Sequence, residues 1–212
     1  MSLSAAEILR QQLREKFPQA HGLRAESEIS RPPVTDLFSA ETFPLGAISE
    51  VIPAGPGAGL MLLVAGLLGD PEDVSPHPEI VLVDGADGFD PNSFTGKACS
   101  KLLWIRCLSA MSMLKAVDLI VRDGNLPFVL LDTTGLLRRD LAALPGSAWW
   151  RLKQSAERNG CRVVVLAHFP LVPCAGLRLS LTAELSLRDF DCPREELLQR
   201  LQPLAQGMRK VT

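Results

Sequence analysis

Residues Thr42–Met61 read TFPLGAISEVIPAGPGAGLM, and the succession of residue types in this stretch decides how the rest of the chain is read. Ala47–Ile52 is short, largely apolar and bounded by turn residues, which predicts a strand. Gly55–Gly59 forms a glycine-rich turn. Leu60–Leu68 is apolar on every side, which predicts a buried helix. A strand, a glycine turn and a helix in that order let loop amides and a helix N-terminus face an anion.

Working outward, the same alternation recurs. Glu79–Asp84 (EIVLVD), Leu102–Arg106 (LLWIR), Phe128–Asp132 (FVLLD) and Arg162–Ala167 (RVVVLA) predict four more buried strands. Between them, Ser109–Arg122 predicts a helix with Gly124 at its stop, and Ser147–Asn159 a helix with Ser147 as N-cap and Gly160 beyond its end. Short apolar strands separated by helices predict an α/β fold with a mainly parallel sheet flanked by helices. Residues 177–187 differ, because leucines alternate with Arg178, Ser180, Thr182 and Glu184. That period of two predicts one or two antiparallel strands at the sheet edge. Residues 3–17 and 194–206 show three- and four-residue spacing of apolar residues and predict two further helices, the second interrupted at Pro203. His21–Pro44 reads as an extended arm. The expected organisation is a helix and arm over 1–41, a core over 42–190, and a C-terminal helix and tail over 191–212.

The chain has 212 residues, 47% of them hydrophobic and 22% charged, enough for one globular core and unlike a fibrous or disordered composition. Aromatic residues make up 5% and tyrosine is absent, which disfavours a stacking platform for single-stranded nucleic acid. Residues 51–100 hold one basic residue, Lys97, against seven acidic ones, whereas the chain after residue 100 is net basic. No apolar run approaches the ~20 residues that span a bilayer, and no secretory leader is evident. Five scattered cysteines without a C-x-x-C pair, and three dispersed histidines, point to reduced thiols in the cytoplasm and to no metal site.

A phosphate loop that holds a nucleoside triphosphate requires G-x-x-x-x-G-K-[ST], with the lysine on the β- and γ-phosphates and the hydroxyl on Mg²⁺. In this chain Gly55, Gly57 and Gly59 keep the glycine character, but Ala54 stands at the first glycine, Leu60 at the lysine and Met61 at the hydroxyl. About four negative charges on the ligand would meet no loop cation, and each lost charge-assisted contact costs ~1.5–3 kcal/mol. The loop therefore reads as vestigial, and no cofactor is expected.

With these segments in view, residues 42–61 resemble the entry to the RecA ATPase core. Residues 80–91 (IVLVDGADGFDP) resemble the RecA segment in which a strand ends in aspartate before an acidic turn. The resemblance implies Ala86 at the position of the glutamate that activates water. It implies Asp132 at that of the metal-associated aspartate and His168 at that of the polar phosphate sensor. Residues 102–124 and 149–181 are similar to segments of the ImuA group, which with the cell-division inhibitor SulA looks like RecA cores that have lost the ATPase residues. Membership would imply a non-catalytic adaptor in the DNA-damage response and translesion DNA synthesis. Its partners would be RecA, an ImuB-like protein or an error-prone polymerase. A SulA-like inhibitor of a filament-forming division protein, and a weak ATP-binding ATPase, are the alternatives. Of the two RecA DNA-binding loops, the one after Ala167-His168 is contracted to Phe169–Pro173 with no basic residue, and the one after Asp132 carries Arg138-Arg139. Those arginines, Trp150, Arg209 and Lys210 are the candidate partner or DNA contacts. Trp149, sharing a helix face with Leu152 and Ala156, is expected in the core.

Overall fold

A computed structural model describes residues 37–55, 58–69, 78–183 and 185–205. The expected helix over 3–17, most of the arm, Gly57, Arg209 and Lys210 lie outside the described residues. Seven strands form one sheet: β1 (Ile48–Pro53), β2 (Ile80–Asp84), β3 (Leu102–Arg106), β4 (Phe128–Asp132), β5 (Arg162–Leu166), β6 (Leu177–Ala183) and β7 (Leu201–Ala205). Their order is β3-β2-β4-β5-β1-β6-β7. All neighbours run parallel except the terminal pair β6 and β7. The helices are α1 (Leu60–Leu68), α2 (Gly96–Ser100), α3 (Ala110–Asp123), α4 (Arg138–Ala142), α5 (Gly146–Asn159) and α6 (Arg194–Leu198).

Strand parity sorts the core into two layers. Val81, Val83, Val129, Leu131, Val163 and Val165 face one side, where Met113 and Val117 of α3 and Trp149 and Leu152 of α5 pack on them. Leu82, Leu130, Val164 and Leu166 face the other side, against Leu63, Val64 and Leu68 of α1. Both faces are covered, so β2 and β4 are buried at every residue and their sequences lack alternation. In β6, Leu177, Leu179 and Leu181 point into the α1 layer and the intervening residues are half-buried, as the period of two requires.

The antiparallel edge expected near the C-terminus is the β6–β7 pair, while β6 itself extends the parallel array beside β1. Three readings need correction. The expected helix over 194–206 ends at Leu198, and Leu201–Ala205 is β7. Leu201 and Pro203 are buried while Gln202 and Leu204 are exposed, a two-residue period that also fits the leucine spacing. Pro203, lacking an N–H, sits on an edge strand, where sheets tolerate it. The helix expected from Ser147 begins at Gly146, with Pro145 at the cap position and no side-chain cap. The described end of the arm is packed rather than extended: Leu37 and Phe43 are fully buried beneath α1. Phe38 occupies the space above Gly66, where a Cβ would fall 2.0 Å from its ring. Trp149 is buried, as its helix face predicts. Among the described residues, no helix is long and apolar enough to cross a membrane.

Candidate functional site

In a parallel sheet the carboxyl ends of the strands share one edge, and ligands of α/β proteins gather there. A cleft of ≈ 850 Å³ opens at this edge. Gly55, Gly59, Leu60, Met61, Asp90, Phe94, Thr134 and His168 are among the residues that line it. β5 lies between β1 and β4 in the sheet, so His168, just past its end, stands between the glycine turn and the Asp132 turn.

Gly59 begins α1 with φ +78°, a left-handed conformation that favours glycine. A Cβ there would also lie 2.5 Å from Leu201 Cδ2, so the C-terminal strand packs directly on the glycine turn. Leu60 is half-buried against the α1 layer of the core. The two side chains that would meet phosphate and metal in a working loop are thus a leucine engaged in packing and an exposed methionine.

Asp84 and Asp132 are register partners at the ends of β2 and β4. Asp84 is buried and accepts four hydrogen bonds, from the Ala86 and Gly88 amides (3.1 Å each), the Phe89 amide (3.0 Å) and Trp104 Nε1 (3.2 Å). Burial acts to raise its pKa, but the three amides and the indole together outweigh burial and hold the carboxyl below its ordinary value. The acidic turn is therefore wrapped around one carboxylate. Asp87, at φ 59°, is drawn outward to an ion pair with Arg106. Ala86 is exposed and packs on the turn after β4, where a Cβ on Gly135 would fall 2.3 Å from its own.

Asp132 accepts from the Thr134 amide (2.9 Å) and hydroxyl (2.7 Å), closing its own turn. Burial pushes its pKa up, against the lowering effect of those bonds. A raised carboxyl pKa makes the ionised form a cost of folding, felt above the ordinary value of 3.8. Asp132→Asn keeps an oxygen for Thr134 and removes the charge. At pH 7 it is expected to melt no lower than the wild type, and any gain should fade below about pH 4, where the wild-type carboxyl is neutral in both states. Thermal melts across pH check this.

The remaining candidates do not converge on the cleft. The Arg138 guanidinium lies 4.7 Å from the Phe169 ring centroid, joining the loops after β4 and β5. Arg139 pairs with Asp140 at 3.5 Å. Trp150 is 52% exposed on α5, with Lys153 Nζ 5.6 Å from its ring centroid. The contracted loop after β5 is tied into the core. Glu50, in mid-β1 and fully buried, accepts from the Leu171 amide (2.5 Å), the Val172 amide (3.0 Å) and Arg178 Nε (2.6 Å), while Arg178 donates to the Val172 carbonyl (3.0 Å).

Two features are not evident from local sequence. Glu50 and Arg178 are the charged residues of otherwise uncharged strand segments, a signal for a buried pair that only their cross-strand register completes. Arg194, from α6, lines the cleft. It donates to the Ser93 carbonyl and lies 5.1 Å from the Phe94 ring centroid. Phe94 stacks on Phe89 (4.9 Å), Phe89 meets Trp104 edge-on (5.3 Å), and Arg106 covers Trp104 at 5.0 Å. A three-ring ladder with a guanidinium at each end thus braces the acidic turn.

No protein-family model matches the chain, and no curated protein is significantly similar to it.

Proposed function

We propose that the chain is a non-catalytic, RecA-like adaptor of the ImuA type, acting in the DNA-damage response by binding other proteins. The observation that carries this reading is the cleft itself. The glycine turn and the strand-end His168 line it at the carboxyl edge of a mainly parallel sheet, and Leu60 and Met61 stand there where charge-handling residues would be required, while Asp132 and Ala86 lie outside its lining. Positioned groups that stabilise developing charge supply most of the catalysis in phosphoryl transfer. The packed loop after β5 further favours protein contacts over a DNA-binding role, since it offers no cation for phosphates.

Trp150 is the exposed aromatic best suited to anchor a partner, because tryptophans dominate interface energies out of proportion to their number. Immobilised protein is expected to retain RecA filaments or an ImuB-like or polymerase partner from damage-induced cells. Trp150→Ala should reduce that retention about tenfold or more while moving the melting temperature little. Retention of a filament-forming division protein instead would favour the SulA-like alternative.

A further inference from the structure

The glycine turn presents apolar side chains at Leu60 and Met61, and among the described residues the one arginine of the cleft lining, Arg194, comes from the C-terminal segment. That guanidinium is held in place on two sides, by the Phe94 face and the Ser93 carbonyl, and has no carboxylate partner among the described residues. It carries five N–H donors in a fixed fork, the geometry that matches a carboxylate. Asp90, which shares Ser93 with Arg194, already accepts from the Asn92 amide and side chain (3.0 Å each) and from Ser93 Oγ (3.3 Å), and adds negative charge that a polyanion would meet. A volume of ≈ 850 Å³ lies within the ~300–1,000 Å³ of small-molecule pockets.

We propose that this cleft binds a small organic acid with a bulky apolar body and one carboxylate, the body resting on Leu60 and Met61 and the carboxylate on Arg194. The inference rests on the non-nucleotide reading given above. One arginine balances one carboxylate, whereas a triphosphate would leave most of its charge uncompensated beside Asp90. Because Arg194 precedes β7, whose Leu201 packs on Gly59, the anion site and the glycine turn are held in one framework.

The test uses the full chain, with pyrenebutyrate as the anionic probe and pyrenebutanol as its neutral counterpart, read by pyrene fluorescence. Pyrenebutyrate should bind saturably and more tightly than pyrenebutanol. Arg194→Gln should weaken the acid about tenfold and leave the alcohol unchanged. Should that variant fail to fold, Met61→Glu, which sets a carboxylate on the cleft lining at an exposed position, should weaken the acid by a similar factor. No saturable binding, or equal binding of acid and alcohol that Arg194→Gln does not alter, would overturn the inference and leave the adaptor reading standing. Displacement of the probe by Mg-ATP would defeat both.

Discussion

Arg178→Met is expected to destabilise the protein by about 3–5 kcal/mol, because it strands the Glu50 carboxylate inside the sheet. Glu50 is completely buried, and among the described residues Arg178 is the cation paired with it. The two amides of Leu171 and Val172 would remain as donors, but they come from a loop that Arg178 itself anchors through the Val172 carbonyl. Losing the arginine therefore removes the counter-charge and loosens the segment that supplies the other donors. At about 2–4 °C per kcal/mol for a chain of this size, the melting temperature should fall by roughly 6–20 °C. The companion experiment is Glu50→Gln with Arg178→Met. Removing both charges should recover a large part of the loss, since a neutral pair no longer carries a buried unpaired ion. A single variant that melts within 2 °C of the wild type would contradict this reading of the pair as a structural tie.

Asp84→Ala should cost a comparable amount, about 3–5 kcal/mol, through four donors left without an acceptor at the end of β2. The Ala86, Gly88 and Phe89 amides fold the acidic turn inward onto the carboxylate, and Trp104 Nε1 links it to the edge strand β3. The pH dependence carries its own signature. Asp84 has a folded-state pKa below its ordinary 3.8, so its contribution is fully present above that value. It is lost as pH falls through the lower folded value. Urea titrations at pH 7 and near pH 3 check this: the wild type should lose part of its advantage over Asp84→Ala at the acidic end. The same variant should disturb the ladder from Trp104 to Phe94, seen as a change in near-ultraviolet circular dichroism.

Much of this architecture is legible in the sequence, and the reason is burial. Strands covered on both faces must be apolar at nearly every position, so IVLVD, FVLLD and RVVVL announce themselves without knowledge of their neighbours. The alternation over Leu177–Ala183 is equally local, since one side of β6 meets α1 and the other does not. The C-terminal strand was not legible, because Leu197, Leu198, Leu201 and Leu204 satisfy a helical spacing while residues 201–204 alternate as a strand. What decides between them is pairing with β6, which local sequence does not contain. The parallel direction of β6 depends in the same way on β1.

The site divides along similar lines. The glycine turn, Asp132 and His168 stand out because each lies at or just past the end of a strand, and strand ends in a parallel sheet come together. Arg194 does not, because it reaches the cleft from a segment more than a hundred residues past the glycine turn and one short helix places it. Asp84 was visible as the last residue of a strand. Its work as the acceptor at the centre of the acidic turn appears only when that turn is seen folded around it.

The central claim is that a nucleotide-binding framework persists here without the charges that hold a nucleotide. Thermal unfolding of the full chain with and without millimolar Mg-ATP tests it most directly. The account predicts coincident melts. A ligand at 100 times its dissociation constant would add about 2.7 kcal/mol, or roughly 5–11 °C for a chain of this length. A saturable, Mg-dependent rise of that size would contradict it.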